Sequence, residues 1–169
     1  MKKLILFLTS LTVIVVLVMI AGMNDLNSVD RFSETPDMAV SLVDDAIDLY
    51  KYNGAKAFPR INVDPEFQGM ELYVYVIRDS DGIIVAHGED KSLVGQNSDS
   101  IGFVDGNDLG AMIHDLATEE GTWIQYTAKN PVNRELLTES AWVKKHDGYI
   151  FGSGIFHPDP DGKVSDTGN

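Results

Sequence analysis

The sequence predicts an α+β fold in which two helices flank one antiparallel sheet, and three observations carry that prediction. Two stretches repeat apolar residues at helical spacing, five short runs are rich in β-branched and aromatic residues, and Asp-Gly or Asn-Pro turns separate those runs. The resulting order is helix, two strands, helix, three strands, which is the pattern of hairpin-linked strands with segregated helices. The 169 residues have room for one such domain and a terminal appendage.

The appendage comes first. Lys2 and Lys3 precede nineteen uncharged residues, Leu4 to Gly22, and an Asn/Asp/Ser-rich stretch follows. A basic leader, an apolar run and a polar exit describe an export signal. The run is also just long enough to span hydrocarbon, so residues 1–23 are expected to be a signal peptide or a membrane anchor, with both lysines inside. Residues 24–35 read as a linker.

Ser33 to Gly54 is the first predicted helix. Thr35 suits the N-cap, Pro36 the first turn, and Gly54 a left-handed end. Ala39, Val43, Ala46, Ile47 and Tyr50 form its apolar stripe. Leu72 to Arg78 and Ile83 to Ala86 are strands joined through Asp79-Ser80-Asp81-Gly82 as a β-hairpin. His87 to Gly106 is a polar, glycine-bearing loop, long enough to be functional. Asp108 to Glu120 is the second helix, with Asn107 as cap, Gly121 as stop, and Leu109, Met112, Ile113, Leu116 and Ala117 as its packing face. Thr122 to Ala128, Ser140 to Lys145 and Tyr149 to Phe156 are the last strands, and residues 157–169 read as a flexible tail.

Composition excludes several functions. Eleven bases stand against 26 acids after Gly22, a charge of −15 on the part expected to be exported. That surplus opposes nucleic-acid binding, which needs a basic stripe. The absence of cysteine removes disulfides, thiolate metal sites and a cysteine nucleophile. His87, His114, His146 and His157 lack metal-ligand spacing. Asp79–Gly82 and Asp159–Gly162 begin like calcium loops but never reach the glutamate at the twelfth position, and read as turns. Gly152-Ser153-Gly154 lacks the first glycine of a nucleophile elbow, since position 151 is Phe. No cofactor or metal is implied, and no catalytic group is assembled.

The ordered motifs resemble those of the single Cache domain, the type 2 Cache sensor module. The resemblance runs from about Met38 to Phe156. It rests on Gly54-Ala55-Lys56-Ala57-Phe58, on Leu72 to Val76, and on Ala86-His87 before Leu93-Val94-Gly95-Gln96-Asn97. It continues through Asp105-Gly106, Gly121 to Tyr126, Asn130-Pro131, Trp142-Val143 and Phe151 to Phe156. It implies a PAS-like, five-stranded antiparallel sheet behind a long N-terminal helix, with the second helix after the first hairpin, over residues 36–156. It also implies an extracytoplasmic pocket for a small molecule, often a short organic acid, and signalling through a membrane receptor or kinase partner.

Family positions carry over to His87 at the start of the long loop, to Tyr126 on the third strand, and to Trp142 where a tyrosine is usual. The lysine usual three positions earlier is replaced by Glu139, which favours an amine or neutral ligand over a carboxylate. The expected ligand-binding set is therefore Tyr75, His87, Tyr126 and Trp142 in one cavity beneath the His87–Gly106 loop, with Glu139 at its rim. The expected function is a freestanding, exported, non-enzymatic sensor module. Two alternatives stay open: an assembly module with a vestigial pocket, and a hydrolase working through His87 and a carboxylate such as Asp105.

Overall fold

A computed structural model describes residues 35–69, 71–100, 103–104 and 107–157. The expected signal or anchor, the linker through residue 34, the tail from residue 158, and Asp105 and Gly106 all lie outside the described residues. No helix among the described residues is long and apolar enough to cross a membrane.

Helix α1 spans Pro36–Asn53, and a short helix α2 spans Ala57–Ile61. Strands β1 (Tyr75–Arg78) and β2 (Ile84–His87) form the hairpin, and β3 (Phe103–Val104) pairs with β4 (Asn107–Asp108) as a small ribbon. Helix α3 covers Leu109–Leu116, and β5 (Thr122–Lys129), β6 (Leu136–His146) and β7 (Tyr149–Phe156) follow. The five long strands form one antiparallel sheet in the order β2-β1-β7-β6-β5. This is the α+β architecture expected from the sequence.

The caps of α1 fall where expected, and those of α3 do not. Thr35 occupies the N-cap of α1, but its side chain makes no capping bond, and Pro36 at the first turn does the local work. Gly54 ends the helix at φ 58°, as a left-handed glycine can. Asp108, not Asn107, caps α3 by accepting from Ala111 N at 3.1 Å. The helix stops at Leu116 rather than Glu120 because Thr118 leaves to bridge Lys144 on β6, its carbonyl accepting from Lys145 N at 2.7 Å.

Each face of the sheet carries its own core. On one face Val43, Ala46 and Ile47 of α1 pack with Phe58, Val76 and Phe151, and Trp142 and Tyr149 flank them. On the other, Tyr75, Ile77, Ile84, Ala141, Val143 and Ile150 pack against Ile113 and Ala117 from α3 and its end. Leu116, assigned by periodicity to the packing face of α3, is 47% exposed. Leu116 is the last residue of the shortened helix, which meets the sheet through Ile113 with Leu109 and Met112 partly buried beside it.

Candidate ligand cavity

Strand parity decides which side chains meet. Tyr75 stands opposite both His87 on β2 and Gly152 on β7, and Tyr126 on β5 stands opposite Glu139 on β6. Side chains directly opposite each other share a face, so these residues lie on the α3 side.

His87 reaches that side because of a bulge. The register slips between Val76 and Ile77, so that Val76 pairs with Ala86 while Ile77 pairs with Ile84. One extra residue re-phases the strand. Ile84 and His87 thus both face α3 although they are three apart, and Val85 and Ala86 pack with the α1 core.

Two glycines make room on β7. A Cβ on Gly152 would fall inside the Tyr75 ring, and one on Gly154 would strike the Glu139 carboxyl. Both side chains therefore lie across the bare backbone of β7. The result is a cavity of about 340 Å³ between the sheet, α3 and the loop after β2, lined by Tyr73, Tyr75, His87, Tyr126 and Glu139 among others. That volume is within the usual range for small-ligand sites, roughly 300–1,000 Å³.

Trp142 is not part of it, which corrects the sequence-based expectation. It stands opposite Trp123, with ring centroids 5.4 Å apart, and packs on the α1 face. The cause is elementary: Glu139 and Trp142 are three apart on one regular strand, and a period of two sends them to opposite faces. Glu139 is also not at the rim but in the wall, 2% exposed.

The chemistry of the cavity is set by burial. The His87 ring lies 5.0 Å from that of Tyr73 and 6.4 Å from that of Tyr75. Its Nδ1 accepts from the Asp90 backbone N–H at 2.9 Å, which leaves the proton on Nε2 as the ring's donor. Burial, opposed weakly by Asp90, lowers its pKa from 6.5 to about 4, so the imidazole is neutral at pH 7. Burial and then the nearby Glu139 push Tyr73, Tyr75 and Tyr126 up, so all three remain phenols. The Tyr75 hydroxyl is buried and has no partner in ordinary hydrogen-bond geometry among the described residues, with the Tyr126 side chain near enough to interact with it.

The mouth is polar. Asn130 is buried and accepts from Val132 N at 2.8 Å and Asn133 N at 3.2 Å, while its amide donates to Glu71 at 3.0 Å. This knot holds the β5–β6 connection, where Arg134 adopts φ 66° and reaches the cavity edge beside Glu89 and Asp90. Burial, then Asp90, raises the Glu89 pKa, and Arg134 opposes the shift.

The loop after β2 is more than a loose cover. Gly95 N donates to Ile84 O at 2.8 Å, Ile84 N to Gln96 O at 2.9 Å, and Ser98 N to Gly82 O at 2.8 Å. These bonds cover the outer edge of β2. Asp90 ties the loop's first turn by accepting from Ser92 N at 2.9 Å and Ser92 Oγ at 2.6 Å.

Tyr73, Glu89 and Arg134 were missed by sequence reasoning. Tyr73 had a usable signal, since it shares strand parity with Tyr75, whereas nothing local marks Arg134.

No protein-family model matches the sequence, and no curated protein matches it. Solved structures do. A methyl-accepting chemotaxis protein from Vibrio parahaemolyticus RIMD 2210633 aligns at TM-score 0.56 and 17% identity, over 69% of this chain and 82% of that one. A Cache chemosensory domain described for carboxylic acid recognition aligns at TM-score 0.53 and 16% identity, covering 70% of this chain and 85% of the other. The chain has a Cache-type fold. A periplasmic sensor domain of a chemotaxis protein gives the same score and identity, over 72% and 90%. In this Cache-type fold the cavity lies between the sheet and the loop after β2.

Proposed function

We propose that the chain is an extracytoplasmic sensor module that binds a small molecule in the cavity on the α3 face and signals through a separate partner, a membrane receptor or kinase. The observation that carries this reading is the conjunction of Gly152 and Gly154 with Tyr75 and Glu139. Two positions on a central strand give up side-chain packing, which weakens a strand, and the space they release is occupied by the polar ends of the cavity wall. A pocket kept only as a relic has no need of that arrangement. The chemotaxis sensor domains of like fold support the sensing role. They also favour a binding module over an enzyme, as does a His87 whose Nδ1 is already engaged by backbone. Export rests on the N-terminal sequence pattern alone, and whether residues 4–22 remain as an anchor is decided by the mass of the mature chain.

The test is a thermal-shift screen of the full-length chain against small acids, amines, amides and alcohols. A ligand confined to the folded state raises the melting temperature, by an amount that grows with its concentration above Kd. At least one class is expected to do so, and less in Gly152→Ala, which crowds the Tyr75 ring. A flat response across all classes would leave the assembly reading in its place.

A further inference from the structure

The chemistry of the cavity wall names a ligand class, on the premise that the cavity binds a small molecule at all. We propose that it takes a small primary organic ammonium ion, with the ammonium group held between the Glu139 carboxyl and the Tyr75 hydroxyl. Glu139 is nine-tenths or more buried and lies in the wall opposite Tyr126. In its ionised form the Glu139 carboxylate repels a carboxylate guest and attracts a cation, and an ammonium guest beside it offsets the desolvation that burial imposes on that charge. Tyr75, 7% exposed, supplies the second observation: its hydroxyl is buried at the same wall without a partner. An unpaired buried hydroxyl is costly, and an N–H donor from the guest relieves it.

That requirement selects among cations. A primary ammonium brings three N–H donors and can meet a carboxyl and a hydroxyl together. A quaternary ammonium brings none and leaves Tyr75 unsatisfied. The rings of Tyr73, Tyr75 and Tyr126 supply an apolar and π-rich wall for the same charge. His87, neutral with its proton on Nε2, adds no competing positive charge. The basic groups of the site, Lys129 and Arg134, are on exposed residues, and Arg134 faces the acids Glu89 and Asp90. At about 340 Å³ the cavity admits a guest of at most roughly ten non-hydrogen atoms, taking about 30 Å³ for each water-sized group.

The experiment uses the full-length chain and isosteric probes: n-butylamine, butyrate, 1-butanol and tetramethylammonium, with benzylamine as a larger amine. Melting temperature is followed against probe concentration, and Kd is measured by calorimetry. The amines are expected to bind, with n-butylamine at least tenfold tighter than butyrate, butanol or tetramethylammonium. Tyr75→Phe removes only an unpartnered hydroxyl, keeps the fold, and is expected to weaken n-butylamine binding about tenfold. Glu139→Gln keeps the shape and is expected to weaken it further; if that variant does not fold, Tyr75→Phe still decides. Trp142→Phe, on the other face, is expected to leave the Kd unchanged. Butyrate, butanol or tetramethylammonium binding as well as n-butylamine would overturn the ammonium assignment while leaving the sensor reading intact. An unchanged Kd in Tyr75→Phe would do the same. No binding by these probes together with a flat response in the wider screen would overturn both.

Discussion

Replacing His87 with Asn separates the electrostatics of the cavity from its packing. The folded chain holds the imidazole neutral down to about pH 4, whereas in the unfolded chain it protonates near 6.5. The sign follows from linkage. Below pH 6.5 the unfolded state binds a proton that the folded state refuses, so stability falls as pH falls and levels off below the folded pKa. At about 1.4 kcal/mol per pH unit, the loss from this group is about 2 kcal/mol between pH 6.5 and 5, and about 3 kcal/mol once pH 4 is reached. The upper part of that window is the useful one, because carboxylates titrate in the lower part. Asp90, the acid facing His87, has its own pKa lowered by Ser92 hydrogen bonds and stays ionised throughout. Asn is the informative substitute because its amide oxygen can replace Nδ1 as acceptor for the Asp90 N–H. The lost ring contacts with Tyr73 and Tyr75 give a constant offset, which cancels when pH profiles are compared. Urea unfolding of both chains from pH 7.5 to 5 measures the difference. The original chain is expected to lose about 2 kcal/mol more than His87→Asn over that range. Parallel profiles would refute the claim that His87 is held neutral by burial.

Other substitutions test the remaining geometry. Gly152→Ala places a methyl group inside the Tyr75 ring and is expected to cost about 1–3 kcal/mol in urea unfolding. Leu116→Asp is expected to stay within about 0.5 kcal/mol of the original, since Leu116 is half exposed. Ile113→Ala, one turn earlier and 4% exposed, is expected to cost about 2–5 kcal/mol; similar effects at the two positions would mean that α3 packs through a different face. Tyr75→Phe is expected to unfold at the same urea concentration or a higher one, because the hydroxyl it removes is unpartnered.

Much of this was legible in the sequence, and the exceptions share physical causes. The stripe from Ala39 to Tyr50, the hairpin at Asp79–Gly82 and the three final strands are local patterns, and each is present, with β6 running from Leu136 rather than from the expected Ser140. The pairing of Tyr126 with Glu139 is not local. It depends on the register across the β5–β6 connection, which the buried Asn130 knot sets. Once Glu139 is in the wall, parity alone expels Trp142, so that misplacement was avoidable from the spacing of the two residues. His87 is the reverse case: alternation from Ile84 would have sent it to the α1 face, and a one-residue bulge turns it back. The early end of α3 has a similar origin, because tertiary pairing of Thr118 with β6 overrides the helical period that continues through Leu116 and Ala117. Glycines at 152 and 154 looked like a fragment of a catalytic motif, and their role is visible only from what lies across them.

The central claim, that a small molecule is bound on the α3 face of the sheet, is tested most directly by NMR on the labelled full-length chain titrated with whichever probe stabilises it. Saturable shifts are expected at Tyr73, Tyr75, His87, Tyr126 and Glu139, with Trp123, Trp142 and the α1 residues Val43 and Ile47 unmoved. Shifts centred on Trp142 and α1, with the Tyr75–Tyr126 wall silent, would contradict it.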